Sequence, residues 1–240
     1  MGDTYRREPI VNAPGVVVIV LAVVAVMHAL RSLSGPLLNQ ELITYLSLYP
    51  YRLGPDGAGV PGGFLVGVTS LATHTLLHGD WVHLFINSAW LLAFGSLVAR
   101  RAGAAGFLLM FVACAVAGGL TYVVVNGFAQ TVVVGMSGAV SGLMGCAFRL
   151  IFTARQYGGI AVLQHYPLRI PRLSLGAALR HRQTMLATGV WIAMNFLFAL
   201  AGPALFAGGG IAWEAHLGGF IAGFLLFGLV DRGNSEGLAG

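Results

Sequence analysis

The feature that most limits this chain is a run of about 20 mostly apolar residues that recurs six times along 240 positions. A helix rising 1.5 Å per residue needs about that length to cross a 30 Å hydrocarbon core. The runs fall near 15–34, 74–99, 105–126, 137–154, 184–206 and 212–230. Only 9% of the residues are charged, against roughly 25% in soluble domains, so a water-facing surface cannot be assembled from them. The expected fold class is all-α: a polytopic membrane protein built as a six-transmembrane-helix bundle. A short tail at 1–14, one six-span unit at 15–230 and a second tail at 231–240 make up the expected domain plan. The segment 35–73 is rich in Gly and Pro, too broken for a span and too apolar for open solvent, which predicts a partly submerged loop.

All thirteen cationic residues are arginines, and they edge the apolar runs. In a six-span layout Arg6, Arg7, Arg100, Arg101, Arg149, Arg155, Arg169, Arg172, Arg180, Arg182 and Arg232 share one side, while Arg31 and Arg52 face the other. That asymmetry is a topology signal and not a nucleic-acid surface. It predicts cytoplasmic termini and a cytoplasmic 155–183 connection, with Arg169 to Arg182 facing anionic lipid. Cys114 and Cys146 lie inside apolar runs, which argues against a disulfide framework.

Polar side chains inside spans are costly and mark function by default. Here they are His28, His74, His78, His83, Asn87, Ser137, Ser141, Asn195, Glu214 and His216. Counted from the cytoplasmic span ends, His83 stands sixteen residues up, Ser137 seventeen and His216 fourteen. These steps correspond to roughly 24, 26 and 21 Å, one common depth. A serine and a neutral imidazole at one level form the smallest constellation for nucleophilic catalysis. Gly138 and Gly142 on one span, and Gly219 and Gly223 on another, are each four apart and allow close helix approach. His83 and Asn87, at i and i+4, share a helix face and both carry N–H donors suited to an oxyanion. Glu214 is two residues from His216 and does not share its face, so the pattern predicts a dyad. His28 and Asn195 are read as packing residues, and His74, His165 and His181 as interfacial.

At these residues the chain resembles the rhomboid family of intramembrane serine proteases. The likeness runs through His78-Gly79-Asp80-Trp81-Val82-His83-Leu84-Phe85-Ile86-Asn87, through Gly135-Met136-Ser137-Gly138 with Gly142 and Gly145, and through Ala215-His216-Leu217-Gly218-Gly219 with Gly223. It implies Ser137 as nucleophile, His216 as general base, and oxyanion help from His83 and Asn87. It further implies cleavage of a peptide bond in or near a substrate's transmembrane helix, lateral entry beside the fifth span, and no metal or cofactor. The expected partners are transmembrane protein substrates and membrane lipid, with no nucleic acid. The expected location is a bacterial inner (cell) membrane. Two departures from the family pattern are the lack of any Trp in 35–73, where only Arg52 is cationic, and Ser141 in place of an aromatic ring four residues after Ser137. A rhomboid-like protein that binds membrane clients without cutting them is the alternative, and it is expected to lack the serine or the histidine. A small transporter would need repeat symmetry and intramembrane carboxylates that the sequence does not supply.

Overall fold

The computed structural model describes residues 12–205, 210–233 and 235–236. Arg6, Arg7, most of the 1–14 tail and part of the 231–240 tail lie outside the described residues. Helices α1 (Gly15–Leu33), α2 (Pro36–Leu46), α3 (Gly63–Thr73), α4 (Trp81–Trp90), α5 (Ser96–Asn126), α6 (Ser137–Ala154), α7 (Ile160–His165), α8 (Leu175–Arg180), α9 (Arg182–Leu205) and α10 (Trp213–Leu226) follow one another along the chain. A two-residue parallel pairing, β1 (Arg172–Leu173) with β2 (Ser235–Glu236), is minor, and the fold is all-α.

One π-helical turn, Leu91–Gly95, joins α4 to α5, and the apolar stretch from Trp81 to Asn126 is 46 residues long. It is not one rod. Gly103 takes φ 74°, ψ 176°, a conformation that glycine reaches without steric cost. Beyond it the chain folds back, so that a Cβ at Gly95 would lie 3.2 Å from the Phe107 ring. Twelve residues of straight helix would hold those positions about 18 Å apart. Gly103 thus divides this stretch into two antiparallel arms.

The second apolar run begins later than the pattern at 74–99 predicts. His74–Leu76 is a 3-10 turn, the chain is then extended, and α4 starts only at Trp81, where Asp80 accepts the His83 N–H at 2.8 Å. A carboxylate N-cap is a strong helix start, so His74 and His78 precede the crossing helix and do not ride on it. The segment 35–73 also differs from a loop. It contains α2 and α3, joined by short 3-10 turns. Arg52, nearly fully buried, anchors their junction without a tryptophan: Nε donates to the Pro61 carbonyl (3.1 Å), Nη2 to that of Thr44 (2.5 Å), and the guanidinium lies 5.4 Å from the Tyr49 ring centre.

Helix α6 is the axis of the molecule, buried on nearly every side, and it packs chiefly against α10 and α5. The contact is made by glycines. A Cβ at Gly142 would lie 2.7 Å from the Gly219 carbonyl oxygen, and one at Gly223 would strike the Gly142 backbone. Side chains on the outer helices point away from this core, with Ile19, Val26, Phe85, Val124 and Leu186 all exposed. Apolar surface of that extent is compatible with lipid and not with water. The chain is an integral membrane protein.

Candidate active site

The site forms where the segment before α6 meets the start of α10. Leu48 and Val133 exchange both backbone hydrogen bonds (3.1 and 2.8 Å), and Gly135 N–H donates to the His74 carbonyl at 3.0 Å. These bonds fix the approach to α6. Gly135 has φ +113°, and a Cβ there would sit 2.8 Å from Cε1 and Nε2 of His83, so the imidazole rests on the bare Cα. Ser137 is the first residue of α6. Helix geometry leaves its backbone N–H and those of the next two residues without an intrahelical acceptor, at the positive end of the helix dipole.

Ser137 and His216, predicted to share a depth, are in contact. His216 Nε2 and Ser137 Oγ are 2.8 Å apart, and both residues are partly buried. The glycine faces explain the closeness, since each additional side chain between α6 and α10 would separate the two. A Cβ on Gly138 would already lie 3.2 Å from the Ala215 carbonyl oxygen.

The other ring nitrogen of His216 has a partner that the sequence reading does not assign. Nδ1 lies 2.8 Å from Asn195 Oδ1, and Asn195 Nδ2 donates to the Trp213 carbonyl at 3.1 Å. Asn195 is thus a polar link between α9 and α10, where the sequence alone reads it as packing. The only available signal was its isolation among apolar neighbours on α9, which does not name a partner 21 positions away. Ser141 carries no ring to place beneath the imidazole, and Asn195 supports it from the side.

His83 is oriented by its own neighbourhood. Gly79 N–H donates to Nδ1 at 3.4 Å, so Nδ1 accepts and the proton belongs on Nε2, the atom turned toward Gly135. Asn87 is buried and donates through Nδ2 to the His83 carbonyl at 3.0 Å, which occupies one of its two amide hydrogens. Glu214 points elsewhere, accepting from Asn126 Nδ2 at 3.0 Å and tying α5 to α10. His78 is fully buried with its ring 5.2 Å from that of His83, while His28 packs edge-on against Trp81. Among the described residues no group of three or more His, Cys, Asp or Glu side chains is arranged to hold a metal ion. A cavity of about 740 Å³ adjoins the start of α10, lined by Tyr122, Thr131, Val133, Phe196, Trp213 and Glu214 among others.

A serine hydroxyl on an imidazole nitrogen, inside an apolar helical bundle, defines the class: a serine protease of the membrane interior. The rhomboid-domain family model matches residues 65–232, and the chain belongs to the rhomboid family. It is also 27% identical over 192 residues to the rhomboid protease GlpG of Haemophilus influenzae, an alignment covering 80% of each chain.

Proposed function

We propose that the protein is an endopeptidase that hydrolyses peptide bonds in or near the transmembrane segments of membrane proteins, using Ser137 and His216 as a dyad. The observation that carries this reading is the 2.8 Å approach of His216 Nε2 to Ser137 Oγ at the start of a buried helix. In the reaction Ser137 Oγ attacks the scissile carbonyl carbon while Nε2 takes its proton. The tetrahedral oxyanion is met by the Ser137 backbone N–H, by His83 Nε2–H and by the remaining Asn87 amide hydrogen. His216 returns the proton to the departing amine, and water activated by the same nitrogen releases the acyl group. The H. influenzae relative supports the proteolytic reading by its name, and the paired serine and histidine weigh against a client-binding protein without catalysis.

We place six crossings in the membrane: α1, the arms on either side of Gly103, α6, α9 and α10. Arg100, Arg101, Arg155, Arg172, Arg180, Arg182 and Arg232 edge one side of this layout, which argues for cytoplasmic termini, and the H. influenzae relative favours a bacterial inner membrane. Purified protein in detergent, incubated with single-span substrates and analysed by mass spectrometry, should yield one cut per substrate. No cut from the wild type, or equal cutting by Ser137→Ala, would overturn the assignment.

A further inference from the structure

Resting on that reading, we propose that Asn195 is a positioning residue that sets the tautomer of His216 and holds its ring toward Ser137. The argument begins at the Trp213 carbonyl, which can only accept a hydrogen bond. The group facing it across 3.1 Å must be the NH2 end of the Asn195 amide. The amide oxygen then faces His216 Nδ1 at 2.8 Å, and an amide oxygen can only accept. Nδ1 therefore carries the proton, and the lone pair of the neutral ring resides on Nε2, against Ser137 Oγ. Only this tautomer can act as base toward the serine; the other places a hydrogen where the serine proton must go.

Two aromatic pairs hold Asn195 in register. Trp191, one turn below it on α9, stacks on Phe220 of α10 with ring centres 4.4 Å apart, and Phe196 lies 4.7 Å from Trp213. The amide is buried, so water does not compete for either bond. The chain Trp213 O, Asn195, His216, Ser137 performs the orienting task of a third triad member with a neutral side chain. No carboxylate is required, which fits the diversion of Glu214 to Asn126.

The test uses the full chain in detergent with a single-span substrate and reads two quantities. Asn195→Leu keeps the branched side-chain shape and removes both hydrogen bonds; kcat per folded molecule should fall about 10–100-fold with KM within about twofold, because only the proton transfer is affected. Asn195→Asp keeps an oxygen opposite Nδ1 but sets a second acceptor against the Trp213 carbonyl, so it is read by the ring tautomer and not by kcat. The second quantity needs no turnover: 15N spectra of histidine-labelled protein, with His216 assigned from its loss in His216→Ala, should show the Nδ1–H tautomer in wild type and a mixture in Asn195→Leu. An Nε2–H tautomer in the wild type, an Asn195→Leu kcat within twofold of it, or a tautomer mixture in Asn195→Asp like that of Leu would each overturn the proposal. Should the Leu variant not fold, the wild-type tautomer and the Asp variant decide. Failure of the protease reading is told apart by Ser137→Ala, whose continued cutting would dismiss the dyad while leaving the tautomer result untouched.

Discussion

The two ends of helix α6 are held by opposite means. At its N-terminal end α6 and α10 meet through bare glycine backbones, and the polar groups there are few and directed at one another: Ser137, His216 and Asn195. At its C-terminal end the helices are joined by arginines that bind backbone carbonyls. Arg149 donates to the Leu173 carbonyl (3.0 and 2.8 Å) and to that of Phe224 (2.9 Å), while Thr153 reaches the Pro171 carbonyl at 3.0 Å. Asp231 receives Arg101 and, at 2.7 Å, Arg172; Arg101 also donates to the carbonyls of Pro167 and Ile170. The lower end thus fastens the 155–183 connection to three helices. Under the proposed mechanism the two ends divide the labour, chemistry at one and stability at the other.

The sharpest break of that division is at the dyad. Ser137→Ala and His216→Ala should each lower kcat by at least ~10⁴-fold, because members of such a unit act together. Ser137→Ala should barely move the unfolding midpoint, since the helix contact beside it is glycine on glycine, while His216→Ala should cost about 1–3 kcal/mol by leaving the buried Asn195 Oδ1 without its donor. A serine-directed phosphonate should label the wild type at Ser137 alone, and labelling elsewhere would remove the chemical role from this end.

The converse holds at Asp231, whose side chain is almost wholly buried between two guanidinium groups. Asp231→Ala should cost about 3–5 kcal/mol of stability by leaving those cations uncompensated, with kcat per folded molecule near that of the wild type. Burial acts to raise the Asp231 pKa, but hydrogen bonds from Arg101, the Gly233 N–H and Arg172 outweigh it and hold the carboxyl below its ordinary value. A depressed folded-state pKa contributes stability above the unfolded value of ~3.9, and that contribution is lost as pH falls through the lowered one. The unfolding midpoint of the wild type should therefore drop below about pH 4 through a component that Asp231→Ala lacks. An identical pH dependence in the two proteins would dismiss this carboxylate as the clasp.

A smaller effect tests how far the chemical end extends. Removing one oxyanion donor costs ~10²–10³ in kcat, or about 2.7–4 kcal/mol. His83→Ala should reach that range, because Nδ1 is taken by the Gly79 N–H and Nε2–H is the ring's donor. Asn87→Ala should lose less, since one amide hydrogen is already committed to the His83 carbonyl. KM should change little in either. Equal kcat in both variants and the wild type, measured on folded protein, would confine the chemistry to α6 and α10.

How legible each end is in the sequence follows from the same contrast. Ser137 and His216 stand out because a polar side chain in an apolar run is costly, and the glycines four apart say which faces meet. The lower clasp is hidden, because Arg101, Arg149 and Arg172 read as topology signals and their acceptors are backbone carbonyls that no sequence pattern displays. Hydropathy also smooths over backbone breaks. It carries the second run through Gly79 and Asp80, where the N-cap starts a new helix, and it misses α2 and α3, whose Gly and Pro flanks look like loop. Asn195 was visible as a residue but not as a link, since its partners lie on α10.

The mildest change probes whether the close contact itself serves the site. Gly223→Ala adds one methyl, which would fall 2.8 Å from the Gly142 Cα and collide with its carbonyl. Both obstacles are backbone, so no side chain can rotate away. Overpacking of this kind costs about 1–3 kcal/mol, and relief requires α10 to shift away from α6. That shift lengthens the 2.8 Å Ser137 to His216 contact, so kcat should fall together with stability, and a displacement of 1 Å can cost about 10²-fold. Gly189→Ala on α9 is the matched control, because nothing lies within 4 Å of its added Cβ. There the same methyl should leave kcat unchanged and raise stability by about 0.5–1 kcal/mol through reduced backbone freedom. If Gly223→Ala instead lowers stability with kcat intact, the glycine seam only packs the helices, and Asn195 and the Ser137 turn hold the dyad without it.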